Sequence, residues 1–174
     1  MTTIAADAAA TPAKRVPGHP LSPATMTIFG AAGDLTKRLI VPALYHLVRA
    51  GKLPDDFAVI GVDHNYETTE GWRQSLTEMM QASVRAGGRE GQGEAIDQQA
   101  WSWLIRRMHY MRGDFMQPET FSQLGRLLVD QRDRQNGAAN VLFYLAVGDR
   151  FFGPVSRLRY SDGYHSGLSE FQSL

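Results

Sequence analysis

The chain of 174 residues contains no cysteine, and its 18 basic residues balance its 18 acidic ones. The first absence excludes disulfide bonds, thiolate catalysis and cysteine-ligated metals. It also fits a reducing cytosol, so we predict a cytoplasmic protein. The charge balance matters for binding, because nucleic acids and anionic membranes attract chains with excess positive charge. We therefore predict no nucleic-acid partner and no membrane partner.

Long hydrophobic runs are missing as well. The longest, Leu39–Val48, is interrupted by Pro42 and His46 and is too short to span a bilayer. The N-terminal residues 1–24 contain no continuous apolar segment of the secretory type. Their alanine, proline and threonine content predicts a disordered leader.

Lysine and histidine are scarce. The only lysines are Lys14, Lys37 and Lys52, and the five histidines are scattered without a pair at metal-ligand spacing. We therefore predict no bound metal.

Apolar runs that are typical of strands alternate with runs that are typical of helices. The predicted strands are Thr25–Gly30, Phe57–Val62, His109–Arg112 and Val141–Val147. The predicted helices begin near Asp34, Thr68, Ala95 and Pro118. This alternation indicates an α/β fold in which right-handed crossovers wrap a parallel sheet.

The first helix is predicted to extend from about Asp34 to Ala50. Leucine or alanine recurs in it every four residues, and we predict that this stripe faces the core. The stripe consists of Leu35, Leu39, Ala43 and Leu47. Pro42 lies inside the helix and must remove one backbone hydrogen bond.

A glycine turn joins the first strand to the first helix. It consists of Gly30, Ala31, Ala32, Gly33, Asp34 and Leu35. Glycines here allow backbone N–H groups at a helix N-terminus to approach a phosphate, so the turn predicts a nucleotide cofactor. The spacing Gly30-x-x-Gly33 departs from the usual dinucleotide fingerprint, and an ordinary strand–helix turn is the alternative.

The second strand is followed by Asp63 and His64. In dinucleotide-binding folds, an acidic residue here accepts a hydrogen bond from the ribose 2′-hydroxyl of NAD, whereas a basic residue suits the 2′-phosphate of NADP. Asp63 would repel a 2′-phosphate, while His64 can donate to one. The pair leaves the choice of cofactor open, and it is also compatible with the start of a surface loop.

Three segments together resemble the N-terminal domain of glucose-6-phosphate dehydrogenases. They are TIFGAAGDLTKRLIVPALYHL, the LP-x-x-x-x-VIGV strand and NVLFYLAV. The resemblance extends from about Thr25 to Val155. It implies a Rossmann-like NAD(P)-binding sheet with helices on both faces, incomplete at its C-terminal side.

The resemblance also implies an activity. The family oxidises glucose 6-phosphate to 6-phosphogluconolactone in the pentose phosphate pathway and passes a hydride to NADP, or sometimes NAD. The six residues of the glycine turn match its pyrophosphate-binding turn, and Phe152 falls near a position that touches the cofactor. His64 stands where the family commonly has an arginine for the 2′-phosphate, which puts strict preference for NADP in doubt.

The segments that carry out the family's chemistry are missing. The general-base histidine and the phosphate-binding lysines belong to E-K-P-F-G and D-H-Y-L-G-K segments, which do not occur here, and no lysine follows Lys52. His109 belongs to the third predicted strand, so we assign no catalytic residue. We expect the chain to be inactive alone; a non-catalytic NAD(P)-binding module or regulatory remnant is the alternative.

Three regions are therefore expected along the chain. They are the leader 1–24, a partial NAD(P)-binding domain 25–155 and an unrelated, disordered tail 156–174. Because the pattern stops after Val155, we hypothesise a truncated or frameshifted gene. The second domain, through which the family usually assembles, would then be absent.

Overall fold

The computed structural model describes residues 21–65, 68–85, 95–135, 137, 140–148, 151 and 153. Within them, four strands form one sheet: β1 Ala24–Phe29, β2 Phe57–Asp63, β3 Met108–Arg112 and β4 Asn140–Leu145. All neighbouring strands are parallel, in the spatial order β3-β2-β1-β4. The predicted parallel α/β fold is confirmed. Most of the predicted leader and the whole predicted tail lie outside the described residues.

The connections between the strands contain α1 Val41–Arg49, α2 Thr69–Arg85, α3 Gln98–Arg106 and α4 Pro118–Arg134. Two of these helices begin at a side-chain cap. Thr68 Oγ1 accepts a hydrogen bond from Gly71 N–H at 3.0 Å. Asp97 Oδ1 accepts from the N–H groups of Gln99 and Ala100 at 2.9 and 3.0 Å. Such caps satisfy N–H groups that have no partner inside the helix.

Helices cover both faces of the sheet, as predicted. On one face, α1, α2 and α3 bury a core that includes Trp72, Leu76 and Leu104. On the other face, Leu124 and Leu128 of α4 belong to a second core. β2 is buried along its whole length, since it lies between β1 and β3. β4 lies at an edge of the described sheet and leaves large apolar side chains partly exposed.

The core stripe predicted for the first helix is wrong. A π-helical turn, Thr36–Ile40, precedes α1, and the N–H of Val41 donates to the carbonyl of Thr36 five residues back. The wider turn accommodates an extra residue, which rotates the next residues by roughly 100° relative to an α-helix. Val41, Leu44 and Tyr45 therefore face the core. The predicted stripe Leu35, Leu39, Ala43 and Leu47 is exposed.

Gln135 connects the amino ends of β1 and β2 to the end of α4. Its side chain is buried, and Nε2 donates to the carbonyls of Asp56 at 2.6 Å and Ala24 at 3.4 Å. Its Oε1 accepts from Thr25 Oγ1 at 3.2 Å. This single side chain therefore holds three elements at the amino edge, opposite the glycine turn.

Candidate functional site: the glycine turn

The glycine turn lies at the carboxyl edge of the sheet, where the strand order reverses. After β1 the chain continues into β2 on one side, whereas β4 pairs with β1 on the other side. In open parallel sheets, ligands bind in the crevice outside the carboxyl ends of the strands at such a reversal. The turn therefore occupies the usual ligand position of this fold.

Gly30 cannot be replaced without distortion, because its backbone is left-handed, with φ +84°. A Cβ atom there would also lie 2.3 Å from the carbonyl oxygen of Ala146, just after β4. A Cβ on Gly33 would lie 3.1 Å from the carbonyl oxygen of Gly30. The close approach of the turn to β4 accounts for glycine at the first position with or without a ligand.

Hydrogen bonds hold the turn against β2. The N–H groups of Gly30 and Ala31 both donate to the carbonyl of Val62, at 3.0 and 3.2 Å. The Gly30 carbonyl accepts from Gly33 N–H at 3.0 Å and from the buried Thr36 hydroxyl at 2.9 Å. These bonds define the conformation of the backbone before the helix begins.

Trp72 of α2 packs against the turn and supports it. Its indole Nε1 donates to the carbonyl of Ala31 at 3.0 Å, and the side chain is fully buried. Gly61 in β2 makes room for it, since a Cβ there would lie 2.6 Å from Trp72 Cη2 and 2.7 Å from Ala31 Cβ. Gly61 therefore belongs to the support of the site, although no sequence motif marks it.

The helix start offers backbone donors to the crevice. The first N–H groups of a helix have no intrahelical partner, and in the described part of the chain no backbone hydrogen bond outside the helices and strands uses those of Asp34 and Leu35. Both residues are exposed. The Asp34 carboxylate forms an ion pair with Arg38 at 2.6 Å, which offsets its charge. Free N–H groups at a helix N-terminus favour an anion such as a phosphate.

Asp63 and His64 lie beside the turn but face different ways. Asp63 is buried, and its Oδ2 accepts from Ala32 N–H at 3.1 Å. The side chain of His64 is 73% exposed. The sequence holds no signal for the Asp63–Ala32 contact, because only the pairing of β1 with β2 brings these residues together. Phe152 lies outside the described residues.

His109 lies away from the turn, in a cavity of about 270 Å³ at the amino edge that Arg134 and Gln135 also line. Burial lowers the pKa of His109 below its ordinary value, and the positive charges of Arg73 and Arg134 lower it further. His109 lies in β3, in agreement with its assignment to the third predicted strand.

No group of three or more histidine or acidic side chains among the described residues could hold a metal ion. No helix in the same part of the chain is long and apolar enough to cross a membrane.

The reversed strand order, the parallel sheet and the glycine turn define a Rossmann-like nucleotide-binding domain. The family model described as glucose-6-phosphate dehydrogenase, NAD binding domain, matches residues 27–167, and the chain belongs to this family. The match continues beyond Val155 into the segment that was expected to be unrelated.

Individual relatives agree with the family match. The glucose-6-phosphate 1-dehydrogenase of Chlamydia pneumoniae is 33% identical over 133 residues, which cover 76% of this chain and 24% of the relative. That of Bacillus subtilis is 29% identical over 140 residues, covering 80% and 26%. The chain thus spans about a quarter of the length of these curated relatives.

Solved structures show the same similarity. A glucose-6-phosphate dehydrogenase in complex with glucose 6-phosphate matches with a TM-score of 0.72 at 25% identity, over 84% of this chain and 29% of that one. The Mycobacterium avium glucose-6-phosphate 1-dehydrogenase matches with a TM-score of 0.62 at 25% identity, over 79% and 26%.

Proposed function

We propose that the chain binds NADP, and NAD as an alternative, as the cofactor-binding part of a glucose-6-phosphate dehydrogenase. The observation that carries the proposal is the exposed helix start at Asp34 and Leu35, located at the strand-order reversal in a member of this family. The bound dinucleotide would supply the nicotinamide that accepts a hydride.

The residues of the turn fit a pyrophosphate. Gly30 and Gly33 let the backbone turn tightly against the Ala146 and Gly30 carbonyl oxygens, and the tight turn brings the exposed helix start to the carboxyl edge of the sheet, where its N–H groups can meet a phosphate. The proposed cofactor contacts are Gly30, Ala31, Ala32, Gly33, Asp34 and Leu35 at the pyrophosphate, His64 at the ribose end, and Phe152, with Asp63 beside them at the end of β2. The exposed His64 would donate to a 2′-phosphate.

The proposal for the whole enzyme includes oxidation of glucose 6-phosphate to 6-phosphogluconolactone in the cytosol. This chain lacks the E-K-P-F-G and D-H-Y-L-G-K segments. We therefore propose that it binds the dinucleotide without oxidising the sugar phosphate. Reduction of NADP by the 174-residue chain with glucose 6-phosphate would contradict that part of the proposal.

Calorimetric titration of the 174-residue chain with NADP and NAD tests the binding. Ala32→Glu adds a negative charge beside the proposed pyrophosphate position and should weaken both affinities by about tenfold or more. Ala43→Glu is the matched control, because Ala43 is exposed on α1 outside the turn, and it should bind like the wild type. Absence of binding, or equal effects of the two substitutions, would reject the proposed site.

A further inference from the structure

The carboxylate of Asp63 uses nearly all of its hydrogen-bonding capacity within the protein. Oδ2 accepts from Ala32 N–H at 3.1 Å, and Oδ1 accepts from His64 N–H at 2.7 Å and from the Asn65 side-chain amide at 2.8 Å. The ring Nδ1 of His64 lies 3.2 Å from Oδ1. A carboxylate offers about four lone-pair sites, so little acceptor capacity remains for a ligand.

A ribose ligand needs a free lone pair directed at the cofactor, and the acceptor position left on Asp63 belongs to Oδ2, which already accepts from Ala32 N–H. The residue is only 4% exposed, and its Oδ2 points to the turn. Turning outward would leave the N–H of Ala32 without its acceptor, which is unfavourable for a partly buried group. The three N–H donors also offset the charge of the carboxylate, so it would repel a 2′-phosphate less than an exposed carboxylate does.

We infer that Asp63 is a positioning residue of the nucleotide site and not a ribose ligand. The inference rests on the proposed function, because it concerns the same cofactor. The carboxylate holds the glycine turn at the end of β2 through Ala32 and holds the start of the next loop through His64 and Asn65. Its loss should weaken NADP and NAD alike, since the turn would bind the pyrophosphate that both share.

The ratio of the two affinities distinguishes positioning from ribose recognition. In calorimetric titrations of the 174-residue chain, Asp63→Asn and Asp63→Ala should bind both dinucleotides about 3- to 10-fold more weakly, with the NADP/NAD ratio unchanged within about twofold. Removal of an acidic ribose ligand would instead weaken NAD and strengthen NADP. A change of about tenfold or more in the ratio therefore overturns the inference. Asp97→Asn, at the cap of α3, is the matched control and should change neither affinity.

The amide resonance of Ala32 provides a second measurement that needs no cofactor. A hydrogen bond to a carboxylate moves an amide proton downfield, so the Ala32 resonance should move upfield in Asp63→Ala. The resonance of Gly33, whose N–H donates to a backbone carbonyl, should move less. If Asp63→Ala fails to fold, the same comparison is made with Asp63→Asn, whose neutral oxygen is a weaker acceptor.

An unchanged Ala32 resonance in the folded variant would overturn the inference. If the wild-type chain binds neither dinucleotide, the proposed function fails, and with it the part of the inference that concerns the cofactor. The Ala32 resonance would then still decide whether Asp63 holds the turn, so the two failures are distinguishable.

Discussion

The substitution Gly61→Ala should destabilise the protein, because the new methyl group would collide with the residues that support the glycine turn. The new Cβ would lie 2.6 Å from Cη2 of Trp72 and 2.7 Å from Cβ of Ala31. Neither neighbour can move easily, because Trp72 is fully buried and hydrogen-bonded to the Ala31 carbonyl, and Ala31 belongs to the turn. The methyl group must therefore displace the indole or the turn itself.

The expected size of the effect combines three contributions. Overpacking of a core costs about 1–3 kcal/mol, and the loss of the Trp72–Ala31 hydrogen bond costs about 1 kcal/mol. Replacing glycine within a strand returns about 0.5–1 kcal/mol of backbone entropy. The net loss in free energy of unfolding is about 2 kcal/mol, which corresponds to a fall in Tm of about 4–8 °C for a chain of this size.

Urea unfolding followed by tryptophan fluorescence and circular dichroism measures this loss. Gly125→Ala is the matched control, because Gly125 lies inside α4 and a Cβ there would meet nothing within 4 Å. That control should gain about 0.5–1 kcal/mol from helix propensity. If Gly61→Ala is as stable as Gly125→Ala, the sheet accommodates the methyl group and the reasoning is refuted.

Three further predictions concern other parts of the fold. Gln135→Ala should lower the free energy of unfolding by about 2–3 kcal/mol in urea, because the buried Thr25 hydroxyl loses its acceptor and the carbonyls of Ala24 and Asp56 each lose one donor; a loss near zero would mean that water replaces the amide. Asp97→Ala should cost about 1 kcal/mol by removing the cap of α3, whereas Asp97→Asn should cost little; equal losses would contradict the capping role. The pKa of His109 is lowered in the folded chain by burial and by neighbouring arginines. As the pH falls below about 6.5, His109 is therefore protonated in the unfolded chain before it is protonated in the folded chain, which favours unfolding. Wild type should then lose more stability than His109→Gln between about pH 7.5 and about pH 5.5 in urea titrations, and equal losses would count against the shift.

The order of strands and helices could be predicted from the sequence, because each element depends mainly on residues close together in the chain. Apolar runs marked the four strands, and Pro118 marked the start of α4. The glycine turn with its flanking segments was sufficient to indicate the family that the comparisons show. The choice between NADP and NAD remains a prediction.

The orientation of the first helix could not be predicted from periodicity. The stripe from Leu35 to Leu47 assumes a regular α-helix, whereas the π-helical turn Thr36–Ile40 changes the phase before α1 begins. The resulting exposure of Leu39 and burial of Leu44 depend on how the helix packs on the sheet. A local pattern carries no information about that inserted residue.

In the site, too, some features depend on neighbouring residues in the chain and others on contacts between distant residues. The sequence determined that a glycine turn follows β1 and that an acidic residue ends β2, since both are local features. Only the pairing of β1 with β2 brought the Asp63 carboxylate to Ala32 N–H, and only the packing of α2 on the sheet brought Trp72 against Gly61. The physical reason is that the partner of a lone pair, and the space beside a glycine, depend on residues far apart in the chain.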